Sequence, residues 1–272
     1  MDEIERFLCE DLDEDGDITS DAIFSNEISK AKIIVKESTI IAGLEEAGKV
    51  FEKTGAKLTI KIGDGSSAKS GDVIALIHGP IKAILKGERL ALNFLGRMSG
   101  IATETNKIVQ KCKTLNPDIE ISATRKTTPG FRFYEKKAVK LGGGIPHRFG
   151  LYDAAMIKDN HIKAKGSFIQ SITLVKDKIK NKIIEVEVEN EEQALQAANL
   201  QVDVIMLDNF SVETAKQVAN EIKSIDPSII IEISGGITPD TILDYASFSD
   251  RISMGYLTHS VKNKDFSLEI IS

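Results

Sequence analysis

The spacing of hydrophobic residues along the chain changes near residue 110. Before that point, apolar and polar residues alternate in short stretches such as AKIIVKE, KLTIKIGDG and DVIALIHG, with glycine-containing turns between them. A period of two residues predicts strands with one buried face, as in an antiparallel sheet. We therefore expect residues 1–110 to form an α+β domain in which this sheet follows a short amphipathic helix.

A longer segment with helical spacing closes this first part of the chain. In GERLALNFLGRMSGIATETNKIVQKC, apolar residues recur every three or four positions. The spacing puts Leu90, Phe94, Met98 and Ile101 on one side of an α-helix. The segment predicts a long helix that leads out of the first domain.

Residues 111–260 alternate between short apolar strands and amphipathic helices, which predicts an α/β fold. The predicted strands are 119–123, 154–158, 183–189, 203–208, 229–234 and 251–255. Asn190, Ser211 and Thr238 are placed as helix N-caps. Pro239 suits the first helical position after Thr238. Such repeats favour a parallel sheet in a (β/α) barrel, complete or open, with an open doubly wound sheet as the alternative. Residues 261–272 form a tail that can pack on the first domain.

The composition is that of an ordinary globular protein with one basic island. The chain is 42% hydrophobic and 28% charged, and its net charge is −6. Residues 122–165 nevertheless hold ten Lys and Arg against three Asp and Glu. The overall charge argues against binding of nucleic acid or another polyanion, whereas the island favours a small anion.

Cysteine usage and the N-terminal segment predict a cytoplasmic protein. Cys9 and Cys112 are far apart and lack metal-binding or CxxC spacing, which favours two unpaired thiols. The first residues, MDEIERFLCEDLDEDGDIT, are acidic where a signal peptide would be basic. No apolar run approaches the roughly 20 residues of a membrane span.

Chemically useful residues follow the predicted strands at their C-terminal ends, where (β/α) barrels carry their active sites. In chain order they are Thr124, Arg125, Lys126, Lys158, Asp208, Ser234, Gly235, Gly236 and Gly255. Arg125 and Lys126 are adjacent cations with no acid nearby, an arrangement that favours an anionic ligand over a role in the fold. Glu185 and Glu187 share one strand face, which would point into the barrel and need a cation or sugar hydroxyls.

Two glycine-rich loops add to this predicted site. In LGGGIPHRFG, glycines allow close backbone approach to a ligand, and Arg148 can grip a carboxylate or phosphate through two hydrogen bonds. SGGIT offers free amides and a helix N-terminus at Thr238, which favour a phosphate. The alternatives are a helix C-cap for Gly142–Gly144, a surface position for His147 and a simple tight turn for SGG. Lys136, Lys137 and Lys140 are interpreted as a solvated helix face.

Together these residues predict two ligands. Arg and Lys would hold an organic acid, and glycine amides would hold a phosphate. Acidic residues between them suit a sugar or Mg²⁺. The set describes a phosphorylated sugar that meets a carboxylic acid.

The segment ATRKTTPGFRFYEKKAVKLGGGIPHRFGLYDAAMIKDNHI resembles the central signature of the quinolinate phosphoribosyltransferases. AGLEEAGKVF, GERLALNFLGRMSGIAT, VEVEN, IMLDN, ISGGIT and GYLTHSVK also look like family segments, so the resemblance covers nearly the whole chain. It implies transfer from phosphoribosyl pyrophosphate to quinolinate, with release of pyrophosphate and carbon dioxide and formation of nicotinate mononucleotide. It also implies an N-terminal α/β sandwich, an open α/β barrel and a homodimer with shared active sites.

The resemblance assigns roles to the residues that match its motifs. Quinolinate would be bound by Arg125, Lys126, His147, Arg148 and Lys158, with Thr124 beside them and Arg97 supplied by the partner subunit. Glu187 and Asp208 would meet the ribose and Mg²⁺, directly or indirectly, and Lys126, Glu187 and Asp208 would be catalytic. The 5′-phosphate would lie on Ser234, Gly235, Gly236 and Gly255.

The chain departs from the family pattern at Pro146, where the resemblance leads us to expect Asn before His147. Two other functions remain as alternatives. One is a related phosphoribosyltransferase with a different acid substrate, such as the relative found with molybdate transport. The other is a nucleic-acid-binding or anion-binding protein, which would need exposed basic residues interleaved with aromatic ones.

Overall fold

The alternating stretches of the first part form an antiparallel sheet in the computed structural model, which describes residues 2–271. The chain divides into two units. The first runs to Asn106 and includes Lys140–Gly143 and the segment from Val261 onward. The second comprises Lys107–Val139 and Gly144–Ser260.

The first unit combines helices with one main sheet. Its helices are α1 (Glu3–Leu12), α2 (Ile18–Ile23), α3 (Leu44–Thr54) and α4 (Ile81–Lys113), the last of which continues beyond the limit of the unit. Its strands are β1 (Ile28–Val35), β2 (Thr39–Ile40), β3 (Lys57–Ile60), β4 (Ser67–Ala68), β5 (Val73–Pro80) and β12 (Phe266–Ile271). The sheet order is β12-β1-β5-β3, and β2 pairs with β4.

Apolar side chains on these elements form the core of the first unit. Ile33 and Val35 are fully buried on alternate positions of β1, as a period of two requires. On α4, the predicted stripe is also buried, and Phe94, Met98 and Ile101 are at most 1% exposed. β12 pairs antiparallel with β1, so the C-terminal segment adds an edge strand to this sheet.

The second unit alternates strands with helices. The strands are β6 (Glu120–Ala123), β7 (Ala155–Ile157), β8 (Ile184–Val188), β9 (Val204–Asp208), β10 (Ile230–Ser234) and β11 (Arg251–Met254). The helices are α5 (Arg132–Leu141), α6 (Asp159–Lys165), α7 (Phe168–Lys178), α8 (Glu191–Asn199), α9 (Val212–Ile225), α10 (Ile242–Ala246) and α11 (Tyr256–His259). All six predicted strands are confirmed, each within about a residue of its predicted range.

The strand order identifies an open barrel. The parallel sheet runs β6-β11-β10-β9-β8-β7, so β7 to β11 follow one another in a single direction. A doubly wound sheet would reverse its strand order at a switch point. β6 and β7 form the two edges, and a bridge from Ser122 to Ile145 extends the sheet beyond β6. The α/β barrel fold is therefore confirmed, and the doubly wound alternative is wrong.

Side-chain caps mark the beginning of two helices of the second unit that the sequence predicted. Asn190 accepts a hydrogen bond from the Gln193 amide at the start of α8, and Ser211 accepts one from the Thr214 amide at the start of α9. Both predicted N-caps are confirmed. The prediction at Thr238 is wrong, because α10 begins only at Ile242 and Pro239 lies in the turn before it.

Lys136 contradicts the interpretation of α5 as carrying only solvated lysines. Lys140 is exposed, but the Lys136 side chain is fully buried. The reason is a tertiary contact, since its Nζ donates a hydrogen bond to the carbonyl of Pro146.

Both cysteines are unpaired, as predicted, with Cys9 exposed and Cys112 buried. Within residues 2–271, none of the helices combines the length and the apolar character needed to span a bilayer.

Candidate active site

The C-terminal ends of the barrel strands surround a cavity of about 810 Å³. Twelve of the thirteen predicted site residues line it: Thr124, Arg125, Lys126, His147, Arg148, Lys158, Glu187, Asp208, Ser234, Gly235, Gly236 and Gly255. They come from the ends of all six strands of the second unit and from the loop after α5, which are far apart in sequence. The sheet topology brings them together because parallel strands end at one rim.

The turn after β6 carries Arg125 and Lys126, which together with Arg148 form a basic wall of the cavity. Thr124 Oγ1 accepts a hydrogen bond from the Lys126 amide at 3.1 Å, and the Lys126 carbonyl accepts one from Thr258 Oγ1 at 2.7 Å. Arg125 Nε is buried and has no hydrogen-bond acceptor among the described residues. A buried guanidinium donor without an acceptor is costly, so this wall suits an anionic ligand.

Arg148 extends the basic wall from the loop after α5. It is 7% exposed, and it donates to the Ala154 carbonyl at 3.3 Å and to Met156 Sδ at 3.2 Å. Burial, and then the positive charge of Arg125, lower the pKa of Arg148. Neither of those two partners carries a charge. Glu185 and Glu187 attract Arg148 from a longer range, but neither arginine has a direct ion pair with a carboxylate of the described residues, so a carboxylate ligand would supply one.

His147 faces two buried carboxylates beneath the cavity. Its Nε2 lies 3.0 Å from Glu185 Oε2 and 3.5 Å from Glu232 Oε2, and its backbone has a φ of 50°. Burial opposes the charged imidazolium, but hydrogen bonds to Glu185 and Glu232 outweigh it and raise the pKa of His147 to about 9. His147 is therefore a cation at neutral pH, and the alternative of a surface histidine is wrong.

Further contacts hold this buried cluster in place. Glu232 accepts hydrogen bonds from Ser253 Oγ and from Arg251 Nη1, the latter at 3.2 Å. Arg251 also donates to Glu120 at 2.7 Å. Although burial opposes ionisation, contacts with His147, Ser253 and Arg251 lower the pKa of Glu232, whereas burial raises the pKa of Glu185. The carboxylate layer thus fixes the imidazolium from below.

The raised pKa of His147 predicts a pH-dependent stability. A group whose pKa is raised by folding stabilises the folded state. The stabilisation is fully present below the unfolded pKa of about 6.5, and it is lost as the pH rises through the folded pKa of about 9. We expect His147→Gln to lack a pH-dependent contribution to the free energy of unfolding, which in the wild type changes by at most about 3 kcal/mol between these limits. Urea unfolding of both proteins at pH 6, 7.5 and 9.5 measures it. Parallel stability curves would show that His147 does not titrate in this range.

Acidic residues occupy the middle of the cavity. Lys158 Nζ lies 2.5 Å from Glu187 Oε2, and Asn209 Nδ2 donates to Asp208 Oδ2 at 2.7 Å. Burial, and then the negative charge of Glu187, raise the pKa of Asp208. Two carboxylates that repel each other fit a bound cation or the hydroxyl groups of a sugar.

Glycines at the ends of β10 and β11 form a floor of the cavity. Gly235 and Gly236, which follow β10, have φ angles of 89° and 62°. Asn209, which follows the neighbouring strand β9, has a φ of 59°. These left-handed conformations are accessible to glycine without strain. At Gly255, an added Cβ would lie 2.9 Å from His259 Nε2 and 3.0 Å from Lys126 Cδ. The floor therefore leaves backbone, and little side-chain bulk, facing a ligand.

Two details of the predicted phosphate and glycine loops are wrong. α10 has five residues and begins at Ile242, so SGG does not open a helix, and its amides act through a loop. Gly142–Gly144 do not appear among the described cavity-lining residues. They follow α5 as a turn, in which the Gly144 amide donates to the Val139 carbonyl, so the C-cap alternative is correct.

Arg97 is the one predicted residue outside the cavity lining. It belongs to the first unit, on α4, where its Nη1 donates to the Val261 carbonyl at 2.9 Å. A role for Arg97 in this site stays a prediction.

Sequence reasoning missed several lining residues, among them Asn209, Glu232, Ser253, Tyr256 and His259. Strand parity could have found two of them. Glu232 shares a face with Ser234, and Ser253 precedes Gly255 by two positions. Asn209 directly follows Asp208, and Tyr256 and His259 lie on the short helix after Gly255.

Models of one protein family match almost the whole chain. The quinolinate phosphoribosyl transferase N-terminal domain matches residues 17–99, and the C-terminal domain of the same family matches residues 101–269.

Individual relatives agree with this match. A probable nicotinate-nucleotide pyrophosphorylase (carboxylating) of Archaeoglobus fulgidus is 40% identical over 259 residues, which cover 94% of this chain and 98% of the relative. A protein of the same description from Bacillus subtilis is 41% identical over 272 residues, covering 98% and 92%. The solved nicotinate-nucleotide pyrophosphorylase of Francisella tularensis is 35% identical and superposes with a TM-score of 0.91, covering 98% of this chain and 94% of that one.

Proposed function

The chain belongs to the quinolinate phosphoribosyl transferase family, and from this premise we propose how its cavity carries out the reaction. The enzyme transfers the phosphoribosyl group of phosphoribosyl pyrophosphate to quinolinate. Pyrophosphate and carbon dioxide leave, and nicotinate mononucleotide is formed for the de novo synthesis of NAD. We further propose that it works in the cytoplasm, where the unpaired Cys9 and Cys112 would stay reduced.

One observation carries the assignment of ligands to the cavity. The cavity lining combines two arginines without a direct ion pair among the described residues, one of them with an unpaired buried donor, with glycines in left-handed conformations and with the carboxylates of Glu187 and Asp208. The wall fits a dicarboxylate, the floor fits a phosphate, and the carboxylates fit a ribose. This division supports binding of both substrates side by side.

We assign quinolinate to the basic wall. Arg125 and Arg148 would bind its carboxylates, and the imidazolium of His147 would add positive charge from below. Lys158 would approach from the opposite side, exchanging its contact with Glu187 for the ligand. Lys126, exposed at the rim, would reach the pyrophosphate.

We assign phosphoribosyl pyrophosphate to the floor and the acidic centre. Ser234, Gly235, Gly236 and Gly255 would hold the 5′-phosphate through backbone amides and one hydroxyl. Glu187 and Asp208 would meet the ribose hydroxyls. The same two carboxylates fit Mg²⁺, directly or through water, because a cation would relieve the repulsion that raises the pKa of Asp208.

The chemistry requires positioning and charge more than a nucleophilic side chain. Glu187 and Asp208 would stabilise the positive charge that develops at the anomeric carbon of the ribose. Bound Mg²⁺ would neutralise charge on the departing pyrophosphate. Arg125 and Arg148 would hold quinolinate so that its ring nitrogen attacks in line. When the adjacent carboxylate leaves as carbon dioxide, its bonding electron pair stays on the ring carbon beside the positively charged nitrogen, which stabilises it, and a proton from water then forms the new C–H bond.

We also propose a homodimer with shared active sites. Arg97 is not among the cavity-lining residues of its own chain, yet it lies in the segment NFLGRMSG that resembles the family. Its supply by a partner subunit accounts for both facts.

A direct assay tests the proposed function. Purified protein, quinolinate, phosphoribosyl pyrophosphate and Mg²⁺ should yield nicotinate mononucleotide, carbon dioxide and pyrophosphate in equal amounts. Nicotinate in place of quinolinate separates the proposal from its nearest alternative, since it lacks the carboxylate that is lost. Turnover of another acid with no turnover of quinolinate would favour a relative with a different substrate.

The basic wall predicts a large effect of one substitution. We expect Arg148→Ala to weaken quinolinate binding by about 2–4 kcal/mol, the range for removal of one partner of a buried charge pair. Isothermal titration measures it. Lys163→Ala is the matched control, because Lys163 is exposed and pairs only locally with Asp159 at 2.8 Å. Equal affinity of Arg148→Ala and wild type would assign Arg148 a structural role.

A further inference from the structure

Lys136 is a buried cation that the proposed reaction does not use. Its side chain is fully buried, its Nζ donates to the Pro146 carbonyl, and it lies 5.6 Å from the centre of the Phe149 ring. It is absent from the described residues that line the cavity. Lys136 therefore contacts the loop that carries His147 and Arg148 but does not contact the ligand space.

Two more side chains of the same part of α5 bind the loops that form the basic wall. Arg132 Nε donates to Thr127 Oγ1 at 3.0 Å, and Arg132 Nη1 donates to the Phe149 carbonyl at 2.9 Å. Arg132 thus joins the loop after β6 to the loop after α5. Glu135, which is also buried, accepts hydrogen bonds from the Thr128 amide and the Thr128 hydroxyl, both at 3.1 Å.

Packing alone does not explain these residues. Burial of an ammonium group is unfavourable, and the nearby Arg132, Arg125 and Arg148 add repulsion. Burial, and then the charge of Arg132, lower the pKa of Lys136 to about 8, with Asp153 acting in the opposite sense. An apolar side chain of similar length would fill the space at less cost. The contact with the Pro146 carbonyl is what an apolar side chain could not provide.

The carbonyl that Lys136 contacts lies next to a residue with a left-handed backbone conformation. Pro146 immediately precedes His147, whose φ of 50° is uncommon for a residue with a side chain. Arg148, the buried arginine of the wall, follows directly. A fixed Pro146 carbonyl on one side and a fixed Phe149 carbonyl on the other define the path of the two residues between them.

We propose that Arg132, Glu135 and Lys136 form a clamp on α5 that positions the two loops of the basic wall for recognition of the dicarboxylate. These residues act through Arg125 and Arg148, so they are positioning residues. The inference rests on the proposed function, because it assigns the wall to quinolinate. It adds to the residues that recognise quinolinate three residues on α5 that contact the cavity-lining loops.

Two variants and one control test the clamp. Lys136→Met removes the ammonium group and keeps the length of the side chain. Arg132→Lys keeps the charge but loses the planar fork that joins Thr127 to Phe149. Lys140→Met is the matched control, since Lys140 is exposed on the same helix.

We expect the clamp variants to impair one substrate selectively. Because a displacement of about 1 Å can reduce catalysis about 100-fold, Lys136→Met should lower kcat/KM for quinolinate by roughly 30- to 100-fold and Arg132→Lys by roughly 10-fold, and both should raise its Kd. The KM for phosphoribosyl pyrophosphate should change less than about 3-fold, since only one of its predicted contacts, Lys126, lies on a loop that the clamp binds, whereas the contacts of its 5′-phosphate lie on other loops. Lys140→Met should behave as wild type in titration and kinetics.

The outcomes separate the clamp from the proposed function. If wild-type enzyme neither binds nor converts quinolinate, the proposed function fails. If wild type binds quinolinate and folded Lys136→Met binds it equally well, the clamp is wrong. Equal losses for both substrates would also overturn it, because they would indicate a general structural role. Circular dichroism and thermal unfolding establish folding; if Lys136→Met does not fold, the selectivity of Arg132→Lys decides.

Discussion

Valine in place of Gly235 should raise the KM for phosphoribosyl pyrophosphate by about 100- to 1000-fold, equivalent to roughly 3–4 kcal/mol of lost binding. The backbone φ at Gly235 is 89°, which strains any β-branched residue. An added Cβ would lie 2.4 Å from Asn209 Oδ1 and 2.7 Å from the Asn209 amide nitrogen. The loop would have to move, and the amides assigned to the 5′-phosphate would move with it.

The effect should be confined to one substrate. In the proposed assignment quinolinate binds to Arg125 and Arg148 rather than to the glycines, so its Kd measured in the absence of phosphoribosyl pyrophosphate should change less than about 5-fold. Steady-state kinetics and titration give the two values. Comparable losses for both substrates would indicate misfolding of the barrel and contradict the division of the cavity.

Gly166→Val is the control for Gly235→Val. It introduces the same kind of backbone strain without a steric clash in the cavity. Gly166 has a φ of 80°, but an added Cβ would meet no atom within 4 Å. It follows α6 as its C-cap and lies outside the cavity lining. This variant should lose stability, by about 1–3 kcal/mol, while the KM for phosphoribosyl pyrophosphate stays within about 2-fold of wild type.

The barrel and most of its rim could be predicted because their signals are local. A strand such as β9, with four of five residues buried, is an uninterrupted apolar run, and the polar residue at its end is visible as a break in that run. Parallel topology then brings all such breaks to one rim. For this reason, residues as distant as Arg125 and Gly255 could be assigned to one site without knowledge of their contacts.

The errors fall where a hydrogen bond overrides the pattern expected from residue types. Thr238 and Pro239 have the residue types of a helix start, yet the chain makes one more turn before α10, in which Thr238 Oγ1 accepts from the Thr241 amide. Lys136 has the spacing of a solvated lysine, but its Nζ donates a hydrogen bond to the carbonyl of Pro146, ten positions further along the chain, and its side chain is buried. The contact of Lys136 with Pro146 has no signature in the residues adjacent to Lys136.

The partners of His147 show the same limit. Strand parity predicts that Glu185 faces the barrel interior, but it does not identify the cation that would face it. The cation comes from a loop on which His147 takes a left-handed conformation. A pattern of two-residue periodicity describes strands and carries no information about such a loop.

The shared-site proposal makes the second large prediction, which concerns Arg97 and Lys158. Arg97→Ala and Lys158→Ala homodimers should each be nearly inactive, because every site would lack one cation. If Arg97 acts in the partner's site, a mixed dimer contains one site with both defects and one site with both native cations. Random mixing makes half of the dimers mixed, so activity should recover to about a quarter of wild type, assuming independent sites and two-fold pairing.

The reciprocal mixture distinguishes action across the interface from action within one chain. When wild type is mixed with the Arg97→Ala, Lys158→Ala double variant, a mixed dimer has one defect in each site if Arg97 acts on the partner. Activity should then be about a quarter of wild type, supplied by wild-type homodimers alone. Action within one chain would instead leave one intact site in each mixed dimer and give about half. Affinity tags on the two chains verify mixed dimers after co-refolding. An inactive first mixture together with about half activity in the second would show that each chain builds its own site and would end the shared-site proposal.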